Sequence, residues 1–269
     1  MKELSMDEIK KMELDILSDV HDYCVANGIH YILFAGSLLG AVRHKGIIPW
    51  DDDIDIAMPR PDYERFVATY QDDRYIVKTI DNSDDFVFTF SKVIDNSTVL
   101  IENKTEQSKI GINIDIFPLD GLPGDEDEAE NAAEKSLRYK KLISIKQMKY
   151  RKGRRFFKNA VLFFGKLALL PFSYRHLNEM AIKNAKRYPY DGAKYLANLA
   201  WGIGKKGVVK KEWVLNRHIA PFENIECFIP DRYDEFLTKL YGDYMTPPPV
   251  EQRGSHHLFK VYYRDDYGK

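Results

Sequence analysis

The sequence predicts an α+β fold, a mixed β-sheet core flanked by helices and followed by a mainly helical C-terminal part. Three observations carry that expectation. Short apolar runs, several alternating with period two, recur through the first 124 residues. After Gly124 the composition turns to Glu, Ala, Lys, Leu and Phe, as in helices. The strands come first and the helices afterwards, instead of alternating, which is the α+β pattern. The expected division is a core over residues 1–124 with a part over 125–269 packed on it, or one continuous domain.

Leu14, Leu17, Val20, Cys24 and Val25 recur at helical spacing, so residues 6–27 read as a helix that Asn27-Gly28 stops. Residues 29–35 form a β-rich apolar run. It breaks at Gly36-Ser37, and 38–42 resume as a short helix. Residues 53–58 alternate acidic or small side chains with large apolar ones, as a half-buried strand does, and a helix follows over 59–70. Further strands are expected at 75–80, 86–94, 98–102 and 111–117, with Asp81-Asn82-Ser83-Asp84 among the turns between them. Residues 125–190 read as largely helical and 191–240 as helices and loops. The Pro-, Gly- and His-dense tail 241–257 reads as a loop or a chain end.

A chain of 269 residues with 44% apolar side chains can bury a sizeable core. Forty basic residues balance forty-one acidic ones, so nothing attracts nucleic acid globally, and no nucleic-acid-binding motif is present. Cys24 and Cys227 lie far apart and outside any zinc-ligand spacing. They are expected to be two buried, reduced thiols of a cytosolic protein. The N-terminus lacks the apolar core of a signal peptide. No apolar run reaches 18 residues, and Lys166 and Pro171 interrupt the nearest one, 160–172.

The most informative stretch is Trp50-Asp51-Asp52-Asp53-Ile54-Asp55-Ile56. Four carboxylates in five positions repel one another, and a cation relieves that repulsion. On a strand Asp53 and Asp55 project to one face, roughly 6–7 Å apart, while Ile54 and Ile56 pack behind. Gly111-Ile112-Asn113-Ile114-Asp115-Ile116-Phe117 repeats the parity, with Asp115 and Asn113 opposite three isoleucines. If the two strands are neighbours, Asp53, Asp55 and Asp115 form one site. It would hold one or two Mg²⁺ ions, with Mn²⁺ as a substitute, and those ions would grip substrate phosphates. A solvated turn does not explain the isoleucines, and a calcium loop would need a Gly and Glu that are missing.

Gly36-Ser37 offers backbone N–H groups and a hydroxyl to a phosphate. The pair alone fits an ordinary turn equally well, and its place ahead of Asp53 and Asp55 is what favours binding. Arg43 and His44 are expected to fold over the acidic strand and neutralise phosphate charge, with Lys45 solvated. Lys92 sits among large apolar residues and reads either as an inward phosphate ligand or as a snorkelling surface lysine. Trp50 and Trp201 are candidate aromatic faces for a quaternary ammonium, although Trp50 reads better as packing. His256-His257 has no third metal ligand, and Arg253 and His256 are expected to touch substrate from a closing loop.

Together these residues resemble the LicD family. The first block runs from Phe34 through Gly36-Ser37, Arg43-His44-Lys45 and Asp51-Asp52-Asp53-Ile54-Asp55 to Phe66. Asp115-Ile116-Phe117-Pro118-Leu119-Asp120-Gly121 resembles the family's second motif. Tyr241-Gly242-Asp243-Tyr244-Met245-Thr246-Pro247-Pro248, with Arg253 and His256 behind it, resembles the third. The resemblance implies a nucleotidyltransferase-like fold, metal ligands at Asp53, Asp55 and Asp115, and a phosphate-facing turn at Gly36 and Ser37. It also implies transfer of phosphocholine from CDP-choline to a surface glycan such as lipopolysaccharide or teichoic acid. In fukutin-type relatives the group moved is ribitol phosphate. Two alternatives remain, a nucleotidyltransferase using an NTP and a non-catalytic binding module of the same fold. The expected partners are a CDP-alcohol donor and a glycan or lipid-linked glycan acceptor, with no nucleic acid. Residues 146–164, seven basic side chains running into paired phenylalanines, fit peripheral contact with the inner membrane face, and fit a core helix with a solvated start equally well.

Overall fold

The computed structural model describes residues 3–84, 86–102, 110–148, 156–253 and 259–264. Helix α1 (Met6–Ala26) begins at a capping box. Ser5 accepts from the Glu8 N–H at 3.3 Å, and the Glu8 carboxylate accepts from the Ser5 N–H at 2.8 Å. Its buried stripe is Ile9, Met12, Ile16, Leu17, Val20 and Cys24, so of the expected positions Leu17, Val20 and Cys24 face the core, Leu14 is half-buried and Val25 is exposed.

The apolar run that follows supplies only a two-residue strand, β1 (Ile32–Leu33), because Ala35 turns the chain at φ 44°. Helix α2 (Ala35–Arg43) starts there, so Gly36 and Ser37 lie within its first turn rather than ahead of it. Then come β2 (Asp55–Pro59), α3 (Arg60–Thr69), β3 (Tyr75–Lys78), β4 (Ser91–Asp95) and β5 (Thr98–Glu102). The expected strand over 86–94 pairs only from Ser91. Before it, the Phe86 and Phe88 rings meet edge-on and those of Phe88 and Phe90 at a tilt, both at 5.2 Å, instead of joining the ladder.

Strand β6 (Asn113–Leu122) is longer than expected and passes through Pro118. Its first half pairs with β4 up to Ile116, and its second half pairs from Asp120 with β7 (Tyr195–Ala197). Pro118 falls between the two ladders, where a missing N–H breaks no bond. The main sheet runs β1-β2-β6-β4-β3, with β2 and β6 parallel and the other pairs antiparallel. β7 and β8 (Val209–Lys210) extend it.

After Gly124 come three helices, α4 (Glu126–Gln147), α5 (Phe156–Ala168) and α6 (Tyr174–Ala185). Beyond them the periodicity predicts helices and loops, and the structure adds strands. They are β7, β8, the hairpin of β9 (Arg217–Phe222) and β10 (Ile225–Pro230), and β11 (Phe259–Tyr263), which pairs with β5. Short helices α7 (Lys211–Leu215) and α8 (Tyr233–Tyr241) flank the hairpin. One apolar core gathers α1, the main sheet, Phe222, Phe236 and Val261. A second lies under α4 and α6. Cys24 and Cys227 are buried free thiols, both pushed up to about 12 by burial. No helix among the described residues is long and apolar enough to cross a membrane.

Candidate active site

Three strands bring the acidic residues together. In the parallel pair of β2 and β6, Asp55 and Asp115 are register partners, and on the far side of β6 Lys92 is opposite Asp115. Adjacent strands lie about 4.8 Å apart, so Asp55, Asp115 and Lys92 form one row across the sheet. Ile54, Ile56, Ile114 and Ile116 fill the opposite face and are fully buried. The Ile54 carbonyl accepts from the Asp115 N–H at 2.9 Å, which carries the ladder back towards Asp53. Asp51, Asp52 and Asp53 each have a carboxylate oxygen within 4.8 Å of the others.

This crowding shows in the acid groups. Burial raises Asp53 to about 8, with Asp51, Asp115 and Asp52 adding to the shift and Lys92 opposing it. Asp55 is raised well above the carboxylate range by burial, then by Asp53 and Asp115. The Lys92 ammonium points inward. It pairs with Asp115, donates to Asn113 Oδ1 at 2.9 Å, and sits over the rings of Phe88 and Phe90. At 8% exposure it does not snorkel.

The first turn of α2 is built against this cluster. Ser37 is buried, and its hydroxyl accepts from the Asp55 N–H at 2.8 Å, so it fixes the start of β2. A Cβ on Gly36 would lie 2.6 Å from Asp51 Oδ2, so any larger residue there must push the Asp51 carboxylate aside. Ala35 holds a left-handed conformation that costs a non-glycine residue about 1 kcal/mol.

The basic residues gather around Trp50, which immediately precedes Asp51 in the chain. Arg43 donates to the Tyr244 carbonyl at 2.6 Å, and its guanidinium lies 6.0 Å from the Trp50 ring. Arg253 covers the same ring at 4.9 Å, and His44 meets its edge at 5.8 Å. Burial, then the Arg253 charge, lowers Arg43. Burial and Arg43 lower His44. Lys45 takes a left-handed conformation at φ 61°, and its carbonyl accepts from the Glu223 N–H at the tip of the β9–β10 hairpin. Protein cations occupy both candidate ammonium-binding faces, Arg253 on Trp50 and Lys140, at 5.0 Å, on Trp201. His256 lies outside the described residues.

Two residues outside the predicted site set feel the charge of the cluster. Tyr241, at the end of α8, has its hydroxyl group raised by burial and by Asp55, Asp51 and Asp53. Glu13, on α1, is acted on by Asp53, Asp52 and Asp115. The signal for Glu13 is a charged residue inside the apolar stripe of a helix.

The donor set is all carboxylate oxygen, which suits a hard divalent cation rather than a soft one. The LicD/FKTN/FKRP nucleotidyltransferase domain family matches residues 28–163, a stretch that holds Gly36, Ser37, Asp53, Asp55, Lys92 and Asp115. The lipopolysaccharide cholinephosphotransferase LicD of Haemophilus influenzae is 31% identical over 271 residues, covering 97% of this chain and 99% of that protein. The chain belongs to the LicD family. Human ribitol 5-phosphate transferase FKRP is 58% identical over 33 residues, 12% of this chain and 7% of that protein. An uncharacterised Rickettsia typhi protein is 31% identical over 121 residues, 45% of this chain and 38% of its own. The fold of this LicD-family chain is α+β, with the nucleotidyltransferase-type mixed sheet that its motifs imply.

Proposed function

We propose that this chain transfers a phospho-alcohol, foremost phosphocholine, from a CDP-linked donor to a hydroxyl of a cell-surface glycan or glycolipid and releases CMP. The observation that carries this reading is the row of Asp55, Asp115 and Lys92 across three strands, with Asp53 beside it. The relatives support the reaction class. One is a lipopolysaccharide cholinephosphotransferase and another a ribitol 5-phosphate transferase.

In the reaction the acceptor hydroxyl oxygen bonds to the phosphorus that carries the alcohol, the bond from that phosphorus to the CMP oxygen breaks, and the hydroxyl proton passes to solvent. Asp53, Asp55 and Asp115 would hold Mg²⁺, which supplies Lewis acidity to the diphosphate. Lys92 holds Asp115 in line with Asp55. Arg43 and Arg253 repel each other beside Trp50, and a phosphate bridging them would relieve that repulsion. In this reading the donor's anionic end is bound by the aspartates and by the arginines at Trp50. Gly36 and Ser37 support the acidic segment and open α2 towards the same space, and His256 belongs to the segment that follows Arg253.

Membrane contact fits the acceptor. Around α5 and just after it, Val161, Phe163, Phe164, Leu167 and Leu170 are all at least half exposed, while Leu162 and Leu169 face inward. An outward face so apolar suits the headgroup region of a bilayer, and the basic run 146–158 suits anionic lipid. A cytoplasmic protein resting on the inner membrane face would meet a lipid-linked acceptor there.

The deciding experiment offers CDP-choline, CDP-ribitol, CDP-glycerol and NTPs with Mg²⁺ and a glycolipid acceptor. CMP release from a CDP-alcohol supports the proposal. Pyrophosphate release from an NTP would assign nucleotidyl transfer instead, and no turnover with any donor would favour a binding module.

A further inference from the structure

Two strained residues meet where the tip of the β9–β10 hairpin reaches the loop that leaves α2. Phe222 and Ile225 are register partners, so Glu223 and Asn224 alone make the turn of the hairpin. Glu223 holds a left-handed conformation at φ 54°, and Lys45 beside it holds another at φ 61°. Two-residue hairpin turns favour Asn, Asp or Gly at such a position, because other side chains are strained there. A glutamate in that place calls for a reason beyond the turn.

The reason lies in what its side chain grips. Glu223 donates its N–H to the Lys45 carbonyl at 2.8 Å, and its Oε1 accepts from the Ile47 N–H at 2.9 Å. Those two bonds straddle Gly46, and the carboxyl group lies so close to that residue that a Cβ there has no room. On its other side Gly46 is closed against α2. Its N–H donates to the Gly40 carbonyl at 3.3 Å, and its own carbonyl leaves no room for a Cβ on Gly40. The hairpin behind the clamp is firmly rooted. Phe222 is fully buried, and at the hairpin base Arg217 donates to the Tyr31 carbonyl at 2.6 Å.

The clamped loop joins the parts of the Trp50 cluster. Arg43 and His44 precede it, and Trp50 and Asp51 follow it, with the Asp51 N–H donating back to the Ile48 carbonyl at 2.8 Å. We propose that Glu223 is a positioning residue, which clamps residues 45–47 and so sets where Arg43, His44 and Trp50 stand towards the donor's anionic end. It acts through the loop and touches no substrate. The proposal rests on the reading of the Trp50 cluster as donor-binding. It enlists in the site a hairpin residue 176 positions further along the chain than its partner Ile47. Glu223 is exposed, so replacing it opens no cavity in the core.

The test is steady-state CMP release by the full chain, with a melting temperature for each preparation. The varied donor is whichever of CDP-choline, CDP-ribitol and CDP-glycerol turns over fastest. Glu223→Ala removes the acceptor, Glu223→Gln keeps an oxygen for the Ile47 N–H, and Glu223→Gly removes the strain together with the side chain. The Ala and Gly variants should raise the donor KM at least about tenfold, with kcat and the acceptor KM within about threefold of wild type. The Gln variant should stay within about threefold of wild type in all three. Glu223→Gly should melt within a few degrees of wild type, whereas a merely structural residue would lower the melting temperature and leave the donor KM alone. If the Ala variant does not fold, the Gly variant decides. In an Arg43→Ala background the Gly variant should raise the donor KM by a smaller factor than it does alone, since both changes act on one loop. An unchanged donor KM in the folded Gly variant, or a Gln variant as impaired as the Gly one, overturns the proposal and leaves the donor reading standing. No CMP release by wild type from any of the three donors overturns both.

Discussion

Asp55 and Asp115 meet because two strands with the same alternation lie side by side in parallel register. That meeting was legible in the sequence, since a period of two puts Ile54, Ile56, Ile114 and Ile116 on one face and the acids on the other. The orientation of Lys92 was not, because it depends on which strand lies next to β4. Changing Asp53 or Asp55 to Asn should leave the fold intact and lower kcat by at least about a hundredfold. A steady-state CMP-release assay checks this, and retained turnover would remove the metal assignment. Lys92→Met leaves Asp115 without its buried partner and should cost about 3 kcal/mol in urea unfolding without metal. Mg²⁺ should recover part of that loss, because it takes over the neutralising role.

At the scale of elements, the body of α1 and its stop at Asn27-Gly28 were readable from sequence, as both are local. β1 was overread because its apolar run continues into a turn made by Ala35, a residue with no turn signature. The strands after residue 190 were missed for a different reason. They are two to six residues long, and β7 and β11 depend on partners far away in the chain, β6 and β5. The first turn of α2 gives a sharp prediction. Gly36→Ala places a methyl group 2.6 Å from Asp51 Oδ2, so the Asp51 carboxylate must swing away from its place beside Asp52 and Asp53. Activity should fall more than tenfold while the melting temperature changes by only a few degrees, measured on one preparation. On α5, the pair Phe164→Ser and Leu167→Ser should abolish co-sedimentation with anionic liposomes and leave turnover on a soluble acceptor unchanged. Undiminished co-sedimentation would send the search for the membrane face elsewhere.

For the whole molecule, the acidic cluster sets how stability varies with pH. Asp53 has an ordinary value of 3.8 and is raised to about 8 in the folded protein, and Asp55 and Glu13 are raised as well. Between those values the folded chain keeps protons that the unfolded chain releases, so metal-free stability falls as pH rises through that window. Above about 8 this contribution levels off. A cation binds the ionised acids, so added Mg²⁺ should raise the melting temperature more at pH 8 than at pH 5. Scanning calorimetry at both pH values measures this, and an equal increment at both would show that no proton leaves the cluster on binding.

The pairing of β11 with β5 has a mechanical side. Leu4 donates to the Val261 carbonyl at 2.9 Å, and Lys260 is ion-paired with Glu3, so the lead-in to α1 and the segment beyond Arg253 are tied at one seam. Force applied to that seam would reach the helix bearing Glu13 and the arginine over Trp50 together. A protease cut just after Arg253 would leave every strand of the main sheet unbroken and free that arginine from the seam in a single stroke.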